Sequence, residues 1–172
     1  VTVSTGLGTS SGLYGTSGNR FIALSTNVTD VFIGPFSGSN NNATWTGSNC
    51  VSIGFKSMGE FPTSAKRVIS VGTQANEYTK TGEGVISIGH MSNRLSENSW
   101  GKQVKSICIG DSVLHSPNFN PTQKLAIENS PSNTPLISGD FVTNRVGINA
   151  YQCAPTVTLD IVGTDAVKIP SG

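Results

Sequence analysis

Ten acidic side chains are spread along this chain: Asp30, Glu60, Glu77, Glu83, Glu97, Asp111, Glu128, Asp140, Asp160 and Asp165. Two carboxylates about 5–9 Å apart in a cleft cut glycosidic bonds, one as acid and the other as base or nucleophile. Here the acids occur singly and mostly in turn-rich segments. Glu60, Glu77 and Glu97 fall in successive segments between strands, so only lateral stacking would bring two of them together. The expected state of each is a solvated turn residue. His90 and His115 could offer three copies of one imidazole to a metal on a threefold axis, but no His-x-His accompanies them. The Gly-Gly-x-Gly-x-Asp run of a calcium-binding roll is absent. No Gly-x-Ser-x-Gly stands on a strand–helix elbow, and Lys66-Arg67 reads as a dibasic turn. The expectation is a chain with no catalytic residue, no metal and no cofactor.

The cysteines add no obvious chemistry. There are three, Cys50, Cys108 and Cys153, so at least one is unpaired within the chain. No Cys-x-x-Cys supports a zinc site. Cys108 stands in a slot filled elsewhere by serine, and so reads as a small packed residue. The aromatic residues are more suggestive. Trp45, Tyr78 and Trp100 all lie between strands, where exposed rings stack on sugars or anchor protein contacts. They are the candidate receptor-contact residues. The competing reading, which is the favoured one, is that each ring caps its own loop or packs between subunits.

The segments that position these side chains follow a repeat. Val51-Ser-Ile-Gly54, Ile69-Ser-Val-Gly72, Ile86-Ser-Ile-Gly89 and Ile107-Cys-Ile-Gly110 place two apolar residues around a small one and close on glycine. Their glycines are 18, 17 and 21 residues apart. A period near twenty is the mark of stacked coils. Phe21-Ile-Ala-Leu-Ser25 and Val31-Phe-Ile-Gly34 are upstream relatives. Each phrase predicts a short strand with period-two alternation. On this reading Val51, Ile53, Ile69, Val71, Ile86, Ile88, Ile107 and Ile109 form the repeat core inside the coil. Ser52, Ser70, Ser87 and Cys108 form a small-residue ladder on the other face, where a neighbouring layer or chain approaches closely. Glycine closes each phrase where a side chain would clash or φ is positive.

Composition agrees with a β-rich fibre. Only 12% of residues are charged and the net charge is +1, which gives no field for nucleic acid or an anionic membrane. Hydrophobic residues make up 35%, a low share, but Val, Ile and Thr are abundant and periodic, against disorder. No run of about 20 apolar residues could span a bilayer. The chain opens on Val1-Thr-Val3 with no initiating Met or signal pattern, which reads as a processed or partial chain. Two apolar residues per coil bury too little for a coil to stand alone, so neighbouring coils and chains must help. Trimerisation is inferred from that sparse core.

After Pro117 the repeat gives way to short strands punctuated by Pro117, Pro121, Pro131, Pro135 and Pro155. Three regions are expected: residues 1–48, an N-terminal β segment with degenerate repeats; 49–116, the β-roll repeats; and 117–172, a small C-terminal β module.

Two resemblances rest on these residues. Val51-Ser-Ile-Gly54 and Ile86-Ser-Ile-Gly89, with the rest of 49–113, resemble head repeats of trimeric autotransporter adhesins, which stack into a trimeric β-roll. Leu125-Ala-Ile-Glu-Asn129, Pro135-Leu-Ile-Ser-Gly-Asp-Phe141, Val146-Gly-Ile-Asn149, Pro155 and Leu159-Asp-Ile-Val-Gly163 resemble a module of bacteriophage tail fibres and related viral fibres. Together they imply an all-β, elongated β-roll or β-helix-like shaft in an intertwined homotrimer, followed by a small β module. The function implied is a structural virion fibre, located on the virion and extracellular when acting. Its expected partners are itself, other virion tail proteins, and a host cell-surface glycan or protein, with neither nucleic acid nor membrane insertion. The alternatives are a bacterial adhesin head and a polysaccharide-degrading tailspike.

Overall fold

The Val/Ile-Ser-Ile/Val-Gly phrases become strands because β-branched residues favour extended backbone and the glycine that follows can turn at positive φ. The computed structural model describes residues 2–4, 10–14, 20–25, 29–38, 47–59, 65–78, 81–94, 102–113, 122–132, 134–157 and 159–161. It is all-β, with a β-solenoid of about four turns.

The strands in chain order are β1 (Thr2–Ser4), β2 (Ser10–Tyr14), β3 (Arg20–Ser25), β4 (Val31–Ile33), β5 (Val51–Ile53), β6 (Ile69–Val71), β7 (Thr81–Glu83), β8 (Ile86–Ile88), β9 (Lys102–Val104), β10 (Ile107–Ile109), β11 (Lys124–Ile127), β12 (Ile137–Asp140), β13 (Arg145–Ile148) and β14 (Leu159–Ile161). A single 3-10 turn, Tyr151–Cys153, is the only helical element among the described residues. Twelve strands form one sheet in the order β1-β2-β3-β4-β5-β6-β8-β10-β11-β12-β13-β14. From β4 to β11 the pairing is parallel and in register: Val31, Val51, Ile69, Ile86, Ile107 and Leu125 lie in one row. Antiparallel pairs flank this stack, β1–β2–β3–β4 before it and β11–β12–β13 after it; β14 joins β13 in parallel.

Two further sides close each coil. On one, β7 and β9 pair in parallel, extended by bridges from Lys66 to Ser48 and to Glu83. On the other, the turn after each strand hydrogen-bonds to the next coil: Met58 N to Ala75 O, Asn76 N to Ser92 O and Asn93 N to Val113 O, at 2.8–2.9 Å. This turn runs through left-handed backbone at Lys56 and Met58, Gln74 and Asn76, and Met91 and Asn93, with φ from 49° to 57°. Asparagine adopts that conformation more readily than most residues, and Asn93 Nδ2 also donates to Asn76 Oδ1 at 3.0 Å inside the stack. The closing glycines are fixed by close approach. At Gly72, φ is 135° and a Cβ would collide with the carbonyl of Gly89.

The coil interior reverses one expectation. Ser52, Ser70, Ser87 and Cys108 are fully buried and point inward, with Ala126 below them and Phe32 above. The Val and Ile residues expected inside, Val51, Ile53, Ile69, Val71, Ile86, Ile88, Ile107 and Ile109, lie on the outer face, half-buried or exposed; Ile69 is 41% and Ile88 39% exposed. The physical reason is space and hydrogen bonding. Strand side chains alternate, and the coil is narrow, so only one small residue per strand fits within it. Two more buried rows complete the interior: Cys50, Val68, Val85 and Ser106 before the strands, and Ser57, Ala75, Ser92 and Val113 after them.

The buried hydroxyls are satisfied by carbonyls of the facing wall. Ser52 Oγ donates to Ser57 O (2.8 Å), Ser70 Oγ to Ala75 O (2.9 Å) and Ser87 Oγ to Ser92 O (2.7 Å), each within its own coil. The second row reaches to the next coil. Ser37 Oγ donates to Ser52 O, Ser57 Oγ to Ser70 O and Ser92 Oγ to Cys108 O, at 2.9–3.1 Å. Serine inside a coil thus binds both across it and along it, which alanine or valine cannot do.

Candidate functional site

The outer face of the parallel stack is the most distinctive surface of the described chain. Two apolar rows run along it, Val31, Val51, Ile69, Ile86, Ile107, Leu125 and Ile33, Ile53, Val71, Ile88, Ile109, Ile127, held in register by the ladder. The register carries the face onward through Ile137 to Ile148, and from Val146 to Leu159. Val146 and Leu159 are 43% and 59% exposed. Large apolar patches of this continuity mark interaction surfaces on folded proteins.

Beside the apolar rows runs the column of residues that follow the closing glycines, and its chemistry changes along the stack. At one end Phe55 meets Phe36, which stands two residues after its glycine, edge to face with centroids 5.9 Å apart, both exposed. Further on, His90 Nδ1 lies 2.9 Å from Asp111 Oδ1. Asp111 also accepts from Ser112 Oγ, and its backbone N–H donates to Asn129 Oδ1. The His90 contact, then the Ser112 hydroxyl, hold the Asp111 carboxyl below the usual aspartate range.

A second polar centre lies in the turns. Glu77 is fully buried. Its Oε2 accepts from Arg94 Nε at 2.6 Å and from Gln74 Nε2 at 2.8 Å, while Lys56 Nζ stands 3.5 Å from Oε1. Lys56, Glu77 and Arg94 belong to three successive coils, so this carboxylate ties the turns together. The Arg94 guanidinium also covers the Tyr78 ring at 4.8 Å and donates to its hydroxyl at 3.0 Å. Desolvation lowers the Arg94 pKa, but the Glu77 and Tyr78 contacts outweigh it and leave the net shift upward.

The structure locates the sequence candidates unevenly. Tyr78 is half-buried and engaged by Arg94. Trp45 and Trp100 lie outside the described residues, as do His115, Glu60 and Glu97, so the stacking of Glu60 and Glu97 with Glu77 lies outside them too. Ser52, Ser70, Ser87 and Cys108 come together as one interior column. The eight Val and Ile residues come together on the outer face. Sequence reading missed the Glu77–Arg94 centre. Its signal was an acid and a base at the same offset in neighbouring coils, five residues after Gly72 and Gly89. Among the described residues no group of three His, Cys, Asp or Glu is placed to hold a metal ion. No helix among them is long and apolar enough to cross a membrane.

Neither family models, nor curated proteins, nor solved structures contain a match to this chain.

Proposed function

We propose that this chain is a structural segment of a trimeric viral fibre, in which three parallel copies associate through the outer Val/Ile face. The observation that carries the assembly is the pair of in-register apolar rows from Val31 to Ile127, left half-exposed because the serine and cysteine column takes the interior. Burial of such a face drives association. The viral assignment rests on the resemblance of residues 123–172 to tail-fibre modules. In this reading the strands after β11 form a small β module beyond the shaft, and the segments carrying Trp45, Tyr78 and Trp100 offer contacts to a host surface.

Sedimentation equilibrium tests the assembly. The expected mass is about three times the 17.9 kDa chain, and the paired substitution Ile69→Asp with Ile88→Asp reduces it to that of one chain with the β spectrum retained. A single-chain mass for the unsubstituted protein overturns the proposal. The adhesin-head alternative shares this assembly. It is separated by flanking sequence, a membrane-anchor barrel for the adhesin against a virion-binding or chaperone region for the fibre.

A further inference from the structure

Cys108 and Cys153 meet in one buried cluster with Val113 and Ala126, and neither thiol reaches solvent. They come from distant parts of the chain. Cys108 is the central residue of β10, inside the coil. Cys153 ends the 3-10 turn after β13, which packs on β11 and β12. The third cysteine belongs elsewhere. Cys50 sits in a separate cluster with Met58, Ala65, Val68 and Val85, its Sγ 3.4 Å from the carbonyls of Ser48 and Ala65. Strands β6 and β8 lie between β5, which follows Cys50, and β10.

We propose that Cys108 and Cys153 are a latent disulfide pair, closed when the chain folds in the presence of a disulfide oxidant such as oxidised glutathione, with Cys50 left as the free thiol. The step balances. One cysteine thiolate attacks glutathione disulfide and expels a glutathione thiolate. The second cysteine then attacks the mixed disulfide and expels another. Two cysteine thiols are oxidised, and one glutathione disulfide is reduced to two thiols. The same burial sets when this happens. Desolvation, then the neighbouring Cys153 charge, push the Cys108 thiol far up; desolvation pushes Cys153 up to about 12, although nearby Lys124 opposes it. Thiolate is therefore scarce once the cluster is packed, and exchange slows in both directions. The bond would record the redox conditions of folding. It would tie β10 to the segment beyond the β12–β13 hairpin.

The test refolds denatured chain in a mixture of reduced and oxidised glutathione, or in dithiothreitol. The products are then alkylated in denaturant and weighed and mapped by mass spectrometry. The expected result is one alkylated cysteine per chain, Cys50, and a linked Cys108–Cys153 peptide after glutathione; three cysteines are alkylated after dithiothreitol. The oxidised form melts at a higher temperature. Cys153→Ser leaves Cys108 alkylated, and Cys50→Ser keeps the linked peptide. The Cys50→Ser chain, with only two cysteines, carries the test if Cys153→Ser fails to fold. Three alkylated cysteines in chain that has regained its β spectrum in glutathione, or a bond involving Cys50, overturns the proposal.

Discussion

Replacement of Ser70 by alanine and by valine tests which way the repeat faces. Ser70 is fully buried, donates from Oγ to Ala75 O at 2.9 Å, and has Ser57 Oγ 2.9 Å from its own hydroxyl. Ser70→Ala removes the bond to Ala75 O but leaves the bond from Ser57 Oγ to the Ser70 carbonyl. The expected cost is about 1 kcal/mol, the net worth of one buried hydrogen bond. Ser70→Val loses the same bond and adds two methyl groups where the Ser57 hydroxyl and the Ala75 carbonyl already converge. Overpacking adds about 1–3 kcal/mol, for a total near 3 kcal/mol. With a urea slope of about 1.5–3 kcal/mol per molar, the valine variant should unfold about 1–2 M earlier, and the alanine variant well under 1 M earlier. The assay is urea unfolding followed by far-ultraviolet circular dichroism, at fixed chain concentration because the proposed assembly would couple to stability. The order is the decisive reading. Were the serines on the outer face, valine would be at least as stable as alanine, because β-branched residues favour strands. A valine variant equal to or above alanine refutes the inward serine column.

Two further outcomes follow from the polar contacts. Arg94→Met strands the fully buried Glu77 carboxylate with Lys56 3.5 Å away as its remaining cation, and should cost about 3 kcal/mol in the same urea assay, since removing one partner leaves a buried charge. Glu77→Gln with Arg94→Met should recover part of that loss. Acid should also destabilise the fold: Lys124, then the Val142 and Thr143 N–H groups, lower Asp140, and the Asn129 N–H, Ser130 hydroxyl and Leu136 N–H lower Glu128. A folded-state pKa below the unfolded one contributes stability above the unfolded value that is lost as pH falls through the folded value. The melting temperature should hold steady above about pH 5 and drop below about pH 4, with a shallower drop for Asp140→Asn.

The repeat strands were legible because alternation and a closing glycine are both local signals. Val51–Ile53, Ile69–Val71, Ile86–Ile88 and Ile107–Ile109 are strands where the phrases stand. The facing of those strands was not. Alternation fixes two faces without saying which is inside, and the ordinary preference for apolar interiors pointed the wrong way. What decides it is the width of the coil and the carbonyls that receive the serine protons, neither of which a strand carries alone. The left-handed turns were partly visible: Asn49, Asn76 and Asn93 are natural occupants, whereas Lys56, Arg67, Gln74 and Met91 are not. Contacts between coils, such as Glu77 with Arg94 or His90 with Asp111, join residues at equal offsets from successive closing glycines although coil lengths vary. They appear once those glycines are aligned.

That variation is confined to one part of each coil. From the strand start to the left-handed residue closing the turn the distance is constant at seven residues: Val51 to Met58, Ile69 to Asn76, Ile86 to Asn93. From there to the start of the next repeat strand, β6, β8 or β10, it is 11, 10 and 14 residues. The ladder therefore reads length in one arc and ignores it in the other. Insertions in the second arc leave every interior serine and every outer isoleucine at its level. Such a coil can lengthen or shorten in that arc, as an interchangeable fitting on a fixed frame, without renegotiating its own folding.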